Sequence, residues 1–251
     1  MKKSYKINYF KEIDSTNAYA LRNLAELSDK QIIVADKQTA GKGRLNRSWI
    51  SNRENNVYLS IALKPCDKVN NNLPLVNLTQ YMSVVICKIL EKYGVTPEIK
   101  WANDVLVDGK KIAGILAQSS IQGEVFKGLV LGVGINLNLS QEDIQLINQP
   151  ATSLNLILGN FVDRDRFIEQ LLDDFFENYD AFLNQGFSFI KKEYTDRINF
   201  LNKKISVTVL DCIENGIAKE IADDGSLLLL TENMEQKVIT MGDICINESL
   251  Y

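Results

Sequence analysis

The chain has 251 residues, is 45% hydrophobic and 24% charged, and sets 28 basic against 32 acidic side chains for a net charge of −4. That is enough apolar material for one large core or for a large and a small domain, and the slight acidity argues against a dedicated nucleic-acid binder. Histidine is absent, which excludes Ser-His-Asp and Cys-His catalysis and histidine-ligated zinc, and leaves the chemistry to Lys, Arg, Asp, Glu, hydroxyls and backbone amides.

Residues 5–10 read as a strand. Asp14 and Ser15 are good N-cap residues for a following helix with Ala18, Leu21, Leu24 and Ala25 on one face. Residues 31–35 form an apolar run of strand length, and a polar loop containing glycine extends from Asp36 to about Asn56. Residues 57–63 alternate with period two and read as a strand. The pattern from Leu75 to Tyr93 is helical, with Gly94 as its C′ residue. Residues 99–107 and 111–119 read as strands flanking Asp108-Gly109, a preferred pair for a two-residue hairpin turn.

Residues 125–137 form another apolar strand, interrupted by Gly132 and Gly134. Between Arg164 and Asn199 helices return, and the recurrence of Phe167, Leu171, Phe175 and Phe182 reads as core packing. From Lys203 onward the segments are short and β-rich (205–210, 216–221, 226–230 and 237–239), with Asn215-Gly216 and Asp224-Gly225 as turns. The expectation is an α+β protein with a mixed or antiparallel central sheet and flanking helices. Residues 1–200 are expected to form the main domain and 201–251 a small β module.

Cys66, Cys87, Cys212 and Cys245 form no CxxC pair and read as reduced thiols in or near the core. The N-terminus has no signal-like apolar run, and no stretch is long and apolar enough to cross a membrane, so the expected location is the cytoplasm, without membrane partners.

Three segments carry chemistry. Lys37 to Trp49 puts Lys37, Lys42, Arg44 and Arg47 in a loop with Gly41 and Gly43. The glycines let backbone amides approach an anion, and arginine forks onto phosphate or carboxylate oxygens. The loop is neither a P-loop nor a dinucleotide fingerprint, and a solvated basic loop is the plain alternative. Lys100-Trp101-Ala102-Asn103-Asp104 leads through the turn to Lys110, Lys111 and Gly114. Strand alternation sends Lys110 and Lys111 to opposite sides, so one can face a site, although an exposed lysine-rich hairpin would look the same. Gly132-Val133-Gly134-Ile135-Asn136 leaves one strand face bare, for a flat ligand or for tight sheet packing.

In order, the chain contains DSTN, GKGRLNRSW, KWANDV, KKIAGIL, GVGIN and ATSL. This series resembles the biotin–protein ligase family, whose patterns are close to GRGRxGRxW, KWPND, KxAGIL and GxGIN. Lys42 replaces an arginine and loses its forked geometry, Asn46 replaces a glycine, and Ala102 a proline. The resemblance implies a class II synthetase-like catalytic domain with an SH3-like β-barrel behind it, and an enzyme that makes biotinyl-AMP from biotin and ATP with Mg²⁺, then biotinylates a lysine of a biotin carboxyl carrier domain. Because the DSTN motif begins at Asp14, the monofunctional class is expected, without a DNA-binding domain or nucleic-acid partner.

The same resemblance implies the site. Ser15, Thr16, Asn17 and Gln38, with backbone from Gly41, Lys42 and Gly43, would hold the ring end of biotin, and Gly114 would leave it room. Arg44 and Lys111 would hold the carboxylate and the α-phosphate. Arg47, Trp49, Asn103 and Asn136 would serve the nucleotide, and Asp104 would orient the acceptor lysine. The metal ligands are not assigned. A lipoate or octanoate ligase of the same fold and a nonenzymatic biotin-binding module are the alternatives, and a homodimer formed through sheet edges is compatible with the sequence.

Overall fold

A computed structural model describes residues 5–44, 47–64, 74–123, 125–209 and 212–246. Asn46, Cys66 and Leu210, each considered above, lie outside the described residues. In chain order the strands are β1 (Lys6–Ile13), β2 (Gln31–Gln38), β3 (Val57–Leu63), β4 (Glu98–Lys100), β5 (Asp104–Val107), β6 (Lys110–Gln122), β7 (Val125–Ile135), β8 (Lys204–Val209), β9 (Cys212–Ile221), β10 (Leu227–Thr231), β11 (Gln236–Ile239) and β12 (Asp243–Ile246). The α-helices are α1 (Thr16–Arg22), α2 (Leu78–Lys92), α3 (Gln141–Gln145), α4 (Leu154–Leu158), α5 (Arg164–Gln185) and α6 (Lys191–Thr195). Contacts divide the chain into two units, residues 1–73 with 107–174 and residues 74–106 with 175–251. No helix among the described residues is long and apolar enough to cross a membrane.

In the first unit the strands run in the order β1-β2-β3-β7-β6. β1 pairs with β2 in parallel and the other pairings are antiparallel, which makes the sheet mixed. Ala20 and Leu24 pack on Ile33, Ala62 and Val130, so α1 covers one sheet face. Ser15 caps this helix by accepting from the Ala18 N–H. The helix is shorter than expected. Asn23 Nδ2 donates to the Tyr19 carbonyl at 2.8 Å, which the Asn23 N–H also reaches at 3.1 Å, so the C-cap residue closes the last turn with both its side chain and its backbone. Beyond that point Ala25 is exposed rather than buried. β3, read from its alternation, is a central strand between β2 and β7 and is buried at all seven positions, with α1 covering the face that carries Ala62. The turn at Asp108 and Gly109 takes φ values of 50° and 70°, as the two-residue hairpin requires.

The second unit contains α2, whose buried Tyr81 stacks on Phe182 at 4.5 Å and donates to the Phe175 carbonyl at 2.6 Å. Phe175 and Phe182 are fully buried, as are Phe167 and Leu171 in the first unit, in line with core packing. The expected strand over 99–107 is instead two strands. Lys100 pairs with Asp104, and Trp101 turns into the core to donate its indole N–H to the Gly225 carbonyl at 3.0 Å.

At the C-terminus the strands form an open sheet, β11-β10-β9-β8-β12, rather than a closed barrel. β11 and β12 are left as its two edges, with no pairing between them to close it. Asp224-Gly225 makes its expected turn, with Gly225 at φ +83°. Asn215-Gly216 does not. It lies inside β9, where a Cβ on Gly216 would overlap the Leu230 carbonyl of β10. Cys87 is buried, but Cys212 and Cys245 are exposed rather than core thiols.

Candidate active site

Strand register places two adjacent rows of residues on the sheet face under α1. Ser60, Gly132 and Leu116 form one row across β3, β7 and β6, and Tyr58, Gly134 and Gly114 form the next. Directly paired residues share a face, and so do residues two apart along a strand. The glycines therefore leave two adjacent notches.

Asn17 fills the first. A Cβ on Gly132 would overlap its side-chain oxygen. Asn17 Nδ2 donates to the Leu116 carbonyl at 3.3 Å and to Gln118 Oε1 at 3.0 Å, and its Oδ1 accepts from Ser60 Oγ at 2.6 Å. Ser60 Oγ is also 2.8 Å from Thr16 Oγ1. The Thr16 N–H donates to Gln38 Oε1 at 2.8 Å, with Thr16 Oγ1 3.1 Å from the same oxygen. Ser15, Thr16, Asn17 and Ser60 are all buried. The result is a compact array of neutral polar groups beneath the helix N-terminus, and it includes four of the expected site residues, Ser15, Thr16, Asn17 and Gln38.

Beside Ser15, Asp14 accepts from Arg22 at 2.6 Å, and this hydrogen bond holds the Asp14 carboxyl below the usual carboxylate range.

Trp49 fills the second notch. A Cβ on Gly134 would come 2.6 Å from Trp49 Cε2, and one on Gly114 would come 2.9 Å from Cζ3. Lys111 Nζ lies 5.3 Å from the centroid of the indole ring, within cation–π range. The indole N–H is buried and has no hydrogen-bond partner among the described residues. Lys110 is exposed and Lys111 half-buried, as alternation requires.

The basic loop folds back on itself. Lys42 bridges Ser48, the Gly43 N–H donates to the Arg47 carbonyl at 2.7 Å, and the Trp49 N–H donates to the Gly41 carbonyl at 3.0 Å. The Gly43 amide is thus committed within the loop. A side chain on Gly41 would overlap Ser51 Oγ. Arg44 is half-buried at the turn, and its carbonyl accepts from the Arg47 N–H at 3.0 Å.

Arg47, Trp49, Lys111 and Asn136 line one cavity of about 590 Å³, with Leu146 and Ala151. Asn136 is pinned there, since its Nδ2 donates to the Thr152 carbonyl at 3.0 Å, while the Lys111 carbonyl accepts from the Thr152 N–H at 3.0 Å. The Ala151-Thr152-Ser153-Leu154 motif therefore fixes the backbone of Lys111 and the side chain of Asn136.

Asn103 and Asp104 belong to the second unit, where Asn103 Nδ2 donates to Asp104 Oδ1 at 3.2 Å. Ser60 and Gln118 were missed by the sequence reading. The signal was present, because Gln118 lies four residues beyond Gly114 on the same strand face and Ser60 interrupts an otherwise apolar strand.

The biotin/lipoate A/B protein ligase family model matches residues 9–136, about half of the chain. The bifunctional ligase/repressor BirA of Bacillus subtilis is 34% identical over 208 residues, covering 82% of this chain and 63% of that protein. The chain therefore spans less than two thirds of that relative. The biotin–[acetyl-CoA-carboxylase] ligase of Paracoccus denitrificans is 30% identical over 226 residues, covering 86% of this chain and 90% of that one. Among solved structures, the biotin protein ligase of Aquifex aeolicus in complex with biotin and ATP superposes with a TM-score of 0.80 at 27% identity, covering 97% and 99% of the two chains.

Proposed function

The chain belongs to the biotin/lipoate A/B protein ligase family, and from that premise we propose that it activates biotin with ATP and transfers it to a lysine of a biotin carboxyl carrier domain. One observation carries the reading. A single sheet face holds a buried, neutral polar array at Gly132 and a cation with an aromatic ring at Gly134. Same-face neighbours on a strand are about 6–7 Å apart. Such a face suits a ligand with a neutral, hydrogen-bonding ring at one end and an anionic tail at the other, and biotin has this form.

The chemistry follows from the tail. A carboxylate is a poor acyl donor, so its oxygen attacks the α-phosphorus of ATP, the bond to the β-phosphate oxygen breaks, and pyrophosphate leaves. The mixed anhydride then takes the lysine amine at its carbonyl carbon, releasing AMP and a proton. In the first step two anions approach each other. Lys111 and Arg44 are the groups we assign to neutralise the charge that develops there, which preorganised cations do without reorganising. Trp49, Arg47 and Asn136 would meet the nucleotide in the cavity they line, and the closed loop would keep water from the anhydride. Asn103 and Asp104 are assigned to the nucleotide and the incoming lysine on the motif resemblance alone.

Mg²⁺ would arrive on the ATP phosphates and offset their charge. Among the described residues no cluster of three or more His, Cys, Asp or Glu side chains is placed to hold a metal. We further assign residues 1–200 to catalysis and treat 201–251 as a separate small module, and place the protein in the cytoplasm.

Pyrophosphate exchange into ATP tests the reading, run with biotin and with lipoate on wild type and on Lys111→Ala. Biotin-dependent exchange that falls by about 10²–10³-fold in the variant is expected. Exchange that depends on lipoate instead would move the protein to the sister activity. Biotin binding with no exchange would leave a binding module.

A further inference from the structure

Resting on the biotin reading above, we propose that Gln118 and Ser60 are positioning residues that set the hydrogen-bond polarity of the Thr16–Gln38 pair, and so select a cyclic urea over a ring without N–H and C=O groups. The argument is one of proton counting. The Leu116 carbonyl can only accept, so the group of Asn17 that lies 3.3 Å from it must be the amide nitrogen. The second N–H of that nitrogen goes to Gln118 Oε1 at 3.0 Å, the shorter of the two contacts, so the side chain of Gln118 holds Asn17 in that orientation. Asn17 is thereby held in one orientation with both N–H groups spent.

Its oxygen can only accept, and Ser60 Oγ is 2.6 Å away, so the single Ser60 proton is committed to Asn17. Of the two contacts left for the Thr16 proton, that to Ser60 Oγ is the shorter at 2.8 Å, and we assign the proton there, so that Ser60 Oγ accepts. The approach of Thr16 Oγ1 to Gln38 Oε1 is longer, at 3.1 Å, and that oxygen already receives the Thr16 N–H at 2.8 Å. Two oxygens that close, with no proton between them, form an acceptor pair awaiting an N–H. The Gln38 amide nitrogen has no partner among the described residues and remains a donor. An acceptor pair beside an amide donor complements the N–H and C=O of a ureido group. A dithiolane ring offers neither group, and leaving buried polar groups unmatched is what rejects it.

Asn17 is thus a strut whose hydrogen-bonding capacity is consumed by protein rather than by ligand, and Gln118 and Ser60 are the two ends that hold it. Calorimetric titration of wild type, Gln118→Met, Gln118→Glu and Ser60→Ala with biotin, desthiobiotin, lipoate and ATP tests this. Desthiobiotin keeps the ureido ring and lacks the sulfur. Gln118→Met should weaken biotin and desthiobiotin together by about tenfold and leave ATP and lipoate unchanged, so that the biotin-to-lipoate ratio falls. Gln118→Glu, which keeps the acceptor, should restore the ratio. Ser60→Ala should reproduce the selective loss from the other end, which keeps the test open should either variant fold poorly. An unchanged ratio in both end variants, a parallel loss of ATP affinity, or no restoration by glutamate would overturn the proposal while leaving biotin activation intact. Wild type that binds lipoate and not biotin would overturn both.

Discussion

Lys111 Nζ sits 5.3 Å from the centroid of the Trp49 ring, and that ring occupies the bare face made by Gly114 and Gly134. The pair brings together the basic loop and the lysine strand, which are far apart in sequence. It also means that the glycine face assigned to a ligand is covered by the chain's own indole, whose buried N–H has no partner among the described residues. An unpaired buried donor is costly, so the indole gains when it reaches a partner or solvent.

A ligand lying against Gly114 and Gly134 requires Trp49 to move. With saturating biotin and ATP, the emission of Trp49 should shift and its quenching by acrylamide should change. Trp101, the other tryptophan of the chain, is buried and bonded to the Gly225 carbonyl, and should stay constant. Trp49→Phe should abolish the response. Unaltered quenching in wild type under saturating ligands would mean that the indole stays where it is.

Some of this was legible in the sequence because it is local. Asp108-Gly109 forms its turn because both residues tolerate positive φ. Lys110 and Lys111 part to opposite sides because a strand alternates. Gly132 and Gly134 share a face for the same reason, but nothing nearby in sequence says that Asn17 and Trp49 fill the two notches. Asn215-Gly216 carries the same turn chemistry as Asp108-Gly109, yet it lies mid-strand, paired with Ser206 and Ile205 of β8, and its glycine gives room to the backbone of Leu230. The open C-terminal sheet likewise depends on which distant strands pair, and residue spacing does not encode this. Ser60 stands out as the one polar residue of its strand, but its partners Thr16 and Asn17 come from a distant helix and are not legible in its spacing.

The Asp14–Arg22 pair should make a small, pH-dependent contribution to stability. Its hydrogen bond depresses the Asp14 carboxyl in the folded state. The contribution is therefore complete above the ordinary carboxylate range, about pH 4, and is lost as pH falls through the lowered folded value. Arg22→Gln should unfold at lower urea than wild type at pH 7, and the two curves should merge near pH 2–3. The gap should shrink in 1 M salt, because the side chains are 56% and 43% exposed. A gap that persists at pH 2 would assign the effect to packing instead.

Gly225 and Gly94 separate backbone strain from steric overlap. Both have positive φ, +83° and +78°. A Cβ on Gly94 would meet nothing within 4 Å, whereas one on Gly225 would come 2.6 Å from Gln80 Oε1 and would also overlap Asn77 Nδ2. Gly94→Ala should cost about 1 kcal/mol, the price of the left-handed conformation alone. Gly225→Ala should cost about 2–4 kcal/mol, since it also pushes on the groups that hold the turn. Equal denaturation midpoints for the two variants would show that the Asn77–Gln80 side yields freely.

Asn56 should be the most sensitive buried polar residue near the end of β7. It is fully buried, and its Oδ1 accepts from the Leu137 and Asn138 N–H groups, both at 2.9 Å. Its Nδ2 donates to the Arg53 and Glu54 carbonyls at 3.3 and 3.2 Å. Asn56→Ala orphans these groups and should destabilise the fold by about 2–4 kcal/mol. Asn56→Asp keeps the acceptor but sets an ionised oxygen against two carbonyls in a buried place, which raises the folded pKa of the new carboxyl above its unfolded value. A raised folded pKa contributes its stability below the unfolded value and loses it as pH rises through the folded one. Measured as a difference from wild type at each pH, the Asn56→Asp variant should come closest to wild type near pH 4 and fall away toward pH 8. A difference independent of pH would mean that water reaches the site and keeps the carboxylate solvated.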